Sequence, residues 1–473
     1  MNGANVKRIG VLCAVVGVLQ AAPPNLEGNW MGVLEAGPIR LRLVLHLNRV
    51  ADGRWAGTLD SPDQNAAGIP ITTVTQTNDT VAIEIASIGA SYRGTLRGEG
   101  SEIMGEFRQS GVAVPLTLRH NAETPVFRRP QEPKKPYPYD EQEVAFENRT
   151  AKIRLAGTLT LPRSGAPFPA VLLITGSGPQ DRDESLAGHH PFLVLADFLT
   201  RQGIAVLRAD DRGTGKSTGK FAESTTQDFV EDALAGVEYL KSRKEIDPGQ
   251  IGLIGHSEGG TVAPMAAVRS RDVRFVVMMA GPGVTGEQIL RAQGYLISRA
   301  MGMPEDMAAK VRDMNQAIYD IIKSEKDNPV AEKKIRERLS ALRGSLPPDQ
   351  QRALGGVAQH LDAQLRFATS PWFRAFLNYD PRNTLSLVKV PVLALNGELD
   401  LQVPPSQNLP AIVAALEAGR NPDYAVIKLP RLNHLFQTSE TGSPAEYAKI
   451  EETIAPVALE TVGQWVAHHT RTR

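Results

Sequence analysis

The stretch Ile251-Gly252-Leu253-Ile254-Gly255-His256-Ser257-Glu258-Gly259-Gly260 decides how the rest of the chain is read. An apolar run, 251–254, ends in Gly-x-Ser-x-Gly and passes into the Ala-rich segment 260–269. The five-residue pattern alone is short enough to arise by chance. Its setting distinguishes it, because strand, tight turn and helix together are the context of a nucleophile elbow. The two glycines have a steric purpose: the turn brings its neighbours so close that side chains there would clash. Ser257 is expected in a strained backbone conformation, with its hydroxyl exposed at the C-terminal edge of a sheet. The helix that follows adds the positive end of its dipole.

Outward from this point the chain alternates. Residues 170–174 form a continuous apolar run, the pattern of a strand buried on both faces. A helical stretch over 192–202, a strand at 204–207 and an amphipathic helix over 228–243 separate it from 251–254, and 275–279 is a further strand. Such alternation implies a parallel sheet with helices on both faces. It breaks at about 284. From there to about 386 the chain reads as helix, with dense Lys/Glu patterning over 324–343 that marks a solvated face. A segment of roughly 100 residues is an insert, not a connection. Alternation resumes with a strand at 390–395, a helix over 406–418, a strand at 425–429 and a final helix over 445–468.

Serine is a weak nucleophile at neutral pH and needs a base. In this arrangement the partners come later in the chain, acid before histidine. Asp400 follows the strand at 390–395 and is the candidate acid, with Glu398 as its rival. His434, in Leu432-Asn433-His434-Leu435-Phe436, follows the strand at 425–429 and is the candidate base. His434 would take the proton of Ser257, and Asp400 would fix its tautomer and stabilise the imidazolium. The loop after the first buried strand, 175–183, and the residue after the nucleophile are placed to supply oxyanion donors. The candidates are the backbone N–H groups of Ser177 and Glu258, with Gly178 as the alternative on the loop.

Together these pieces resemble the α/β-hydrolase superfamily over roughly 141 to the C-terminus. The resemblance rests on 255–260, the loop 175–183, Asp400, His434 and the segment Asp210-Asp211-Arg212-Gly213-Thr214-Gly215-Lys216-Ser217. Many bacterial esterases and serine peptidases of the superfamily carry a similar Asp-x-Arg-Gly-x-Gly-x-Ser stretch. One departure is Thr175, where many members have histidine. The resemblance implies an α/β fold: an α/β-hydrolase sheet with a helical lid insert over about 284–386. No metal or organic cofactor is implied. Segment 213–217 ends like a phosphate-binding loop, but that pattern requires glycine where Asp210 stands, so it reads as a turn near the floor of the site. His189-His190 lacks metal-binding spacing and reads as a position on the pocket rim.

The region before 141 differs in kind. Residues 26–120 read as short strands punctuated by Gly turns, the clearest being 39–47 with apolar residues at odd positions. They form a small all-β domain, 23–123, either barrel or sandwich, followed by a Pro-rich linker over 124–140. Its opening, Gly28-Asn29-Trp30-Met31-Gly32, resembles the start of lipocalin- or avidin-like barrels, and no ligand is assigned from that. Residues 1–22 read as an export signal: Lys7 and Arg8, the apolar run 9–19, then Ala21 and Ala22 as small residues for cleavage. The run is shorter than the about 20 residues of a stable membrane span. The protein is therefore expected to be exported, periplasmic or secreted. Cys13, the single cysteine, excludes any disulfide within the chain.

Composition narrows the function. Lys+Arg and Asp+Glu are both 52, so no broad basic surface exists for nucleic acid. The expected partner is a small-molecule ester or a short peptide, and nothing in the sequence points to an oligomeric state. The first reading is a serine hydrolase cleaving carboxylic esters. The second uses the same residues on peptides, as an aminopeptidase or oligopeptidase, with Glu258, Asp181 or Asp183 anchoring a substrate amino terminus. The third is a non-catalytic binding protein on a hydrolase scaffold, against which the intact Ser, Asp and His set speaks.

Overall fold

Alternating inward and outward side chains build the N-terminal region. In the strand Ala90–Arg97, Ala90, Tyr92 and Leu96 are buried while Arg93 and Arg97 are exposed, the two-residue period of a half-buried strand. The computed structural model describes residues 26–36, 39–50, 53–61, 66–109, 112–120, 128–344 and 361–470. The export segment 1–22 and Cys13 lie outside the described residues. Among those described, nine strands form one antiparallel sheet: β1 (Gly28–Ala36), β2 (Ile39–Arg49), β3 (Trp55–Ser61), β4 (Ala66–Pro70), β5 (Thr73–Thr77), β6 (Thr80–Ile85), β7 (Ala90–Arg97), β8 (Glu102–Gln109) and β9 (Val112–His120). Their order is β4-β3-β2-β1-β9-β8-β7-β6-β5, and the sheet curls until β3 approaches β5. A single curled sheet answers the choice between barrel and sandwich. Its interior is filled by Trp30, Leu45, Ile83, Tyr92, Ile103 and Leu118. The buried Trp30 indole donates to the Leu26 carbonyl at 2.8 Å, so its polar atom is satisfied.

The second region is an eight-stranded sheet: β10 (Asp140–Asn148), β11 (Ile153–Leu161), β12 (Phe168–Ile174), β13 (Ala205–Ala209), β14 (Ile246–His256), β15 (Val273–Met279), β16 (Val392–Gly397) and β17 (Tyr424–Leu429), in the order β10-β11-β13-β12-β14-β15-β16-β17. From β13 through β17 neighbouring strands are parallel. The hairpin β10–β11 is antiparallel and has no counterpart in the sequence reading. Its outer strand, Asp-Glu-Gln-Glu-Val-Ala-Phe-Glu-Asn, is charged as an edge strand should be, which hides the apolar signal of a sheet.

The helices are α1 (Pro191–Arg201), α2 (Thr226–Ser242), α3 (Gly259–Arg269), α4 (Gly286–Ala300), α5 (Glu305–Ser324), α6 (Asn328–Gly344), α7 (Leu361–Ala368), α8 (Pro371–Asn378), α9 (Pro381–Leu385), α10 (Pro405–Ala418) and α11 (Pro456–Thr470). Along β12, Ala170 and Leu172 pack toward α2, α3 and α10, while Val171 and Leu173 pack toward α1 and α11. Both faces are thereby covered, which is why this strand is apolar throughout. Helix α2 starts two residues before the 228 read from the sequence, with Thr225 and Asp228 capping one another reciprocally. Between β15 and β16 the described residues hold the six helices α4 to α9. They share a small core of their own, including Tyr319, Ile335, Leu365, Trp372 and Phe373. No helix among the described residues is long and apolar enough to cross a membrane.

The Pro-rich stretch read as a linker is fastened down over its described part. Arg129 donates to the carbonyls of Ala187, Gly188, Ala448 and Ile450. Gln131 exchanges hydrogen bonds with Thr453 and Ile454, and Tyr139 donates to Asp197 at 2.9 Å. Charged and amide side chains between the prolines hold it against the second region.

Strand β14 turns directly into α3, and the two glycines of the turn permit it. A Cβ on Gly255 would lie 1.9 Å from the carbonyl oxygen of Gly259, and one on Gly259 would lie 2.1 Å from that of Ile174. Replacement of Gly255 by alanine is expected to destabilise the protein by about 4 kcal/mol or more. By contrast, a Cβ on Gly294 within α4 meets nothing closer than 3.6 Å, and Gly294→Ala should stabilise by about 0.5–1 kcal/mol. Thermal or urea unfolding of the two variants reads both values.

Candidate active site

Ser257 sits at the turn with φ of 52°, in the left-handed region. For a residue with a Cβ this costs about 1–3 kcal/mol and persists only where surroundings over-determine it. Here the Ser257 amide donates to Met279 O at 2.8 Å, and its carbonyl accepts from Gly260 N at 2.9 Å. From 251 to 266 every residue is buried except Ser257. The strained turn thus lifts one side chain out of the core.

His434 is buried, and its Nδ1 lies 2.8 Å from Asp400 Oδ2. The other Asp400 oxygen accepts from the amides of Gln402 and Val403, both at 2.8 Å, while Asn396 Nδ2 donates at 3.3 Å to Oδ2, the oxygen that faces His434. A carboxylate so held donates nothing, so the proton on His434 stands on Nδ1 and the lone pair on Nε2. Glu398 is partly exposed, accepts from Arg431 N and pairs with Lys428 at 3.7 Å. The structure therefore brings Asp400 onto His434, and Glu398 elsewhere. The Ser257 hydroxyl makes no hydrogen bond to His434 among the described residues. His434 is tied to the elbow instead by His256, whose Nε2 lies 3.0 Å from the His434 carbonyl.

The loop after β12 lies against Ser257. A Cβ on Gly176 would sit 3.2 Å from that of Ser257. The next residue, Ser177, is exposed, and among the described residues neither its amide nor that of Glu258 has a protein acceptor. Both are thus available to a bound oxyanion. The Gly176 amide is taken: it donates to Glu184 Oε1 at 2.7 Å, and the same oxygen is 2.9 Å from His256 Nδ1.

The side chain of Glu258 turns away from these amides. It accepts from Thr226 Oγ1 at 2.6 Å and from the Trp372 indole at 2.9 and 3.1 Å. Trp372 belongs to α8, so this carboxylate ties the elbow to the helical insert. Burial pushes its pKa up, against the pull of those two donors. The other proposed anchors are also engaged. Asp181 accepts from the amides of Asp183 and Ser185. Asp183 pairs with Arg208. Glu184 and Trp372 were invisible as site residues in the sequence, because neither lies in a recurring pattern, and Asp211 occupies the variable second position of the stretch 210–217.

Two sequence motifs find their place. Segment 210–217 wraps around the carboxylate of Asp210, which accepts from the amides of Arg182 and Lys216 and from the Arg182 guanidinium. His189 is a correction: it is fully buried, not on a pocket rim. Its ring nitrogens lie 2.9 Å from Thr453 Oγ1 and from Tyr447 O, and burial draws its pKa down to about 4. His190 pairs with Glu132 at 2.6 Å. Among the described residues no cluster of His, Cys, Asp and Glu could hold a metal ion.

Asp211 accepts from Thr175 Oγ1 at 2.8 Å and Gln180 N at 2.9 Å. Burial, reinforced by the charges of Glu184 and Glu258, pushes its pKa up to about 8. A carboxyl raised in the folded state binds its proton more tightly there than in the unfolded chain. Its stabilising effect is complete at acid pH and is lost as pH rises from about 4 through about 8. Asp211→Asn removes this titration. Its melting temperature should exceed that of the wild type by a few degrees at about pH 8.5 and converge on it only as pH falls to about 4, as differential scanning calorimetry will show.

The family model described as X-Pro dipeptidyl-peptidase (S15 family) matches residues 152–428. Esterase EstD of Thermotoga maritima is 27% identical over 325 residues, 68% of each chain. Dipeptidyl peptidase 8 of Homo sapiens is 33% identical over 171 residues, 34% of this chain and 18% of that protein. Among solved structures, an esterase of Pyrococcus furiosus aligns with a TM-score of 0.41 at 16% identity, covering 70% of this chain and 90% of the other. With more than half of its length matched, including the elbow and the sheet that carries it, the chain belongs to the X-Pro dipeptidyl-peptidase (S15) family within the α/β-hydrolase superfamily.

Proposed function

We propose that this serine hydrolase cleaves carboxylic esters through an acyl-enzyme on Ser257. Ser257 Oγ attacks the carbonyl carbon as its proton passes to His434 Nε2. Asp400 holds the Nδ1–H and stabilises the imidazolium. The negative oxygen of the tetrahedral intermediate is received by the amides of Ser177 and Glu258. His434 then protonates the departing alkoxide, and a water activated by the same nitrogen releases the acid.

The observation that carries the ester reading is the state of the three acidic residues that could have anchored a substrate ammonium. Glu258 is engaged by Thr226 and Trp372, Asp181 by two amides and Asp183 by Arg208. The resemblance to an esterase over two-thirds of the chain supports the same reading. Serine peptidase activity is the second reading, favoured by the family itself and by the dipeptidyl peptidase relative. The helical insert is proposed to act as a lid that sets substrate size, supported by the Trp372–Glu258 bond beside the nucleophile. Residues 1–22 are proposed to direct export.

Hydrolysis of short-chain p-nitrophenyl esters and aminoacyl p-nitroanilides, measured in parallel, tests the choice. Ester turnover without anilide cleavage is expected; comparable anilide efficiency would make the protein a peptidase. Ser257→Ala should lose activity by about 10⁴-fold or more with an unchanged melting curve. Asp400→Asn should lose most activity while Glu398→Gln retains it. N-terminal sequencing of the native protein should give a start after Ala21 or Ala22, and a start at Met1 would remove the export proposal.

A further inference from the structure

Between the nucleophile and the base lies a buried pair that the reaction scheme does not use. His256, the residue before Ser257, is 6% exposed, and Glu184 is 3% exposed, so neither is placed to touch substrate. Both ring nitrogens of His256 face acceptors: Nδ1 the carboxylate of Glu184 at 2.9 Å, Nε2 the carbonyl of His434 at 3.0 Å. A carbonyl cannot donate. The Glu184 oxygen facing Nδ1 already accepts the Gly176 amide at 2.7 Å, which an ionised carboxylate does best. A neutral imidazole carries one N–H and one lone pair. In this setting its lone pair would confront a lone pair of an acceptor, inside the core. The contacts are satisfied together only when both ring nitrogens carry protons.

The charges around the ring agree. Burial works against a charged imidazole, but Glu184, by charge and hydrogen bond, with the His434 carbonyl and the more distant charge of Asp400, outweighs it and raises the His256 pKa. The other titratable neighbours are the His434 ring, 4.9 Å away between centroids, and Asp211, which acts on Glu184; the Phe436 ring on the remaining side carries no charge. Glu184 itself is held at φ of 53°, a conformation kept only where contacts demand it.

We infer that Glu184 and His256 form an imidazolium–carboxylate pair that acts as a positioning device, holding the main chain of His434 and the loop bearing Ser177 in register with Ser257. The inference rests on the triad reading above. One end of the chain of bonds is the Gly176 amide, adjacent to the oxyanion donor. The other is the carbonyl of the base residue. Two histidines side by side thus do opposite work at neutral pH: His434 must be neutral to accept a proton, while His256 must stay charged to hold it in place.

Glu184→Gln separates this from simple packing. The glutamine oxygen can still accept from Gly176, but nothing then outweighs the burial that disfavours a charged ring, so His256 loses its second proton and stands neutral at neutral pH. The kcat plateau for p-nitrophenyl butyrate should fall by about 10–100-fold with KM changed less than about twofold, while the His256 ring passes from two protonated nitrogens to one in nitrogen NMR. A plateau within about twofold of the wild type, or a His256 ring with the same protonation in both proteins, would overturn the inference. Should the variant not fold, ring-nitrogen NMR of the wild type decides: His256, assigned by the signal missing from His256→Gln, must show two protonated nitrogens at pH 7.5, and a neutral ring refutes the pair. Ser257→Ala run alongside keeps the two levels apart. An inactive Ser257→Ala with a wild-type plateau in Glu184→Gln removes only the positioning role. Retained turnover in Ser257→Ala removes the reaction assigned to the site and the inference with it.

Discussion

The site depends on one close approach of main chain to main chain. Where β14 enters α3, the Gly259 α-carbon lies against the Ile174 carbonyl, so close that a Cβ would come within 2.1 Å of it. Gly255 stands equally close to Gly259. This forces the left-handed conformation of Ser257 and simultaneously sets the end of β12 beside the turn. The loop that follows β12 must then pass over Ser257, since Gly176 has nowhere else to go. Exposure of the Ser257 side chain and placement of the 175–183 loop beside it are therefore one packing event. The strain at Ser257 is offset by the surrounding buried residues of 251–266, which collectively bury far more apolar surface than the turn costs.

The residues flanking Ser257 distribute that rigidity. His256 points to the base loop and Glu258 to the helical insert, and both side chains are buried. Their electrostatics differ. His256 has a charged partner at 2.9 Å, while Glu258 has only the neutral donors of Thr226 and Trp372. Burial of a carboxylate with neutral donors is expensive, and its raised pKa expresses that cost. Asp211 nearby is raised for the same reason. Perturbed acids of this kind gather where function constrains packing. The insert is joined to the elbow through a buried acid whose pKa is raised, so movement of α8 and the environment of Glu258 are physically linked.

What could be read in the sequence was whatever obeys a local rule. The buried strands at 170–174 and 251–254 are apolar because both sheet faces are covered, and the elbow is marked by glycines that sterics require. Ser257, Asp400 and His434 stand out because each follows its own strand, and strand ends share one edge of a parallel sheet. The rest follows no short-range rule. The hairpin β10–β11 is masked by the charges an edge strand carries. Glu184 meets His256 across 72 positions, and Trp372 meets Glu258 across 114. His189 shows the limit from the other side: a polar residue in a loop reads as exposed, yet its two nitrogens find partners more than 250 positions away and the core closes over it.

The same accounting bears on recognition. A peptidase that reads a free amino terminus needs an acidic oxygen with spare capacity facing the substrate, because an ammonium left unpaired in a partly desolvated cleft costs several kcal/mol. The elbow's own acid accepts from two side chains on the protein, and the two acids of the 175–183 loop are held by amides and by Arg208. Converting Glu258, whose two oxygens are both engaged, into an anchor would mean breaking a bond that ties the elbow to the insert. An ester makes no such demand. Its carbonyl needs only the two amides, and its flanking groups are selected by shape and apolar contact. On that argument the proposed ester selectivity would fall to the helical insert, whose aromatic residues Phe367, Trp372 and Phe376 cluster where α7 and α8 meet the elbow through Glu258.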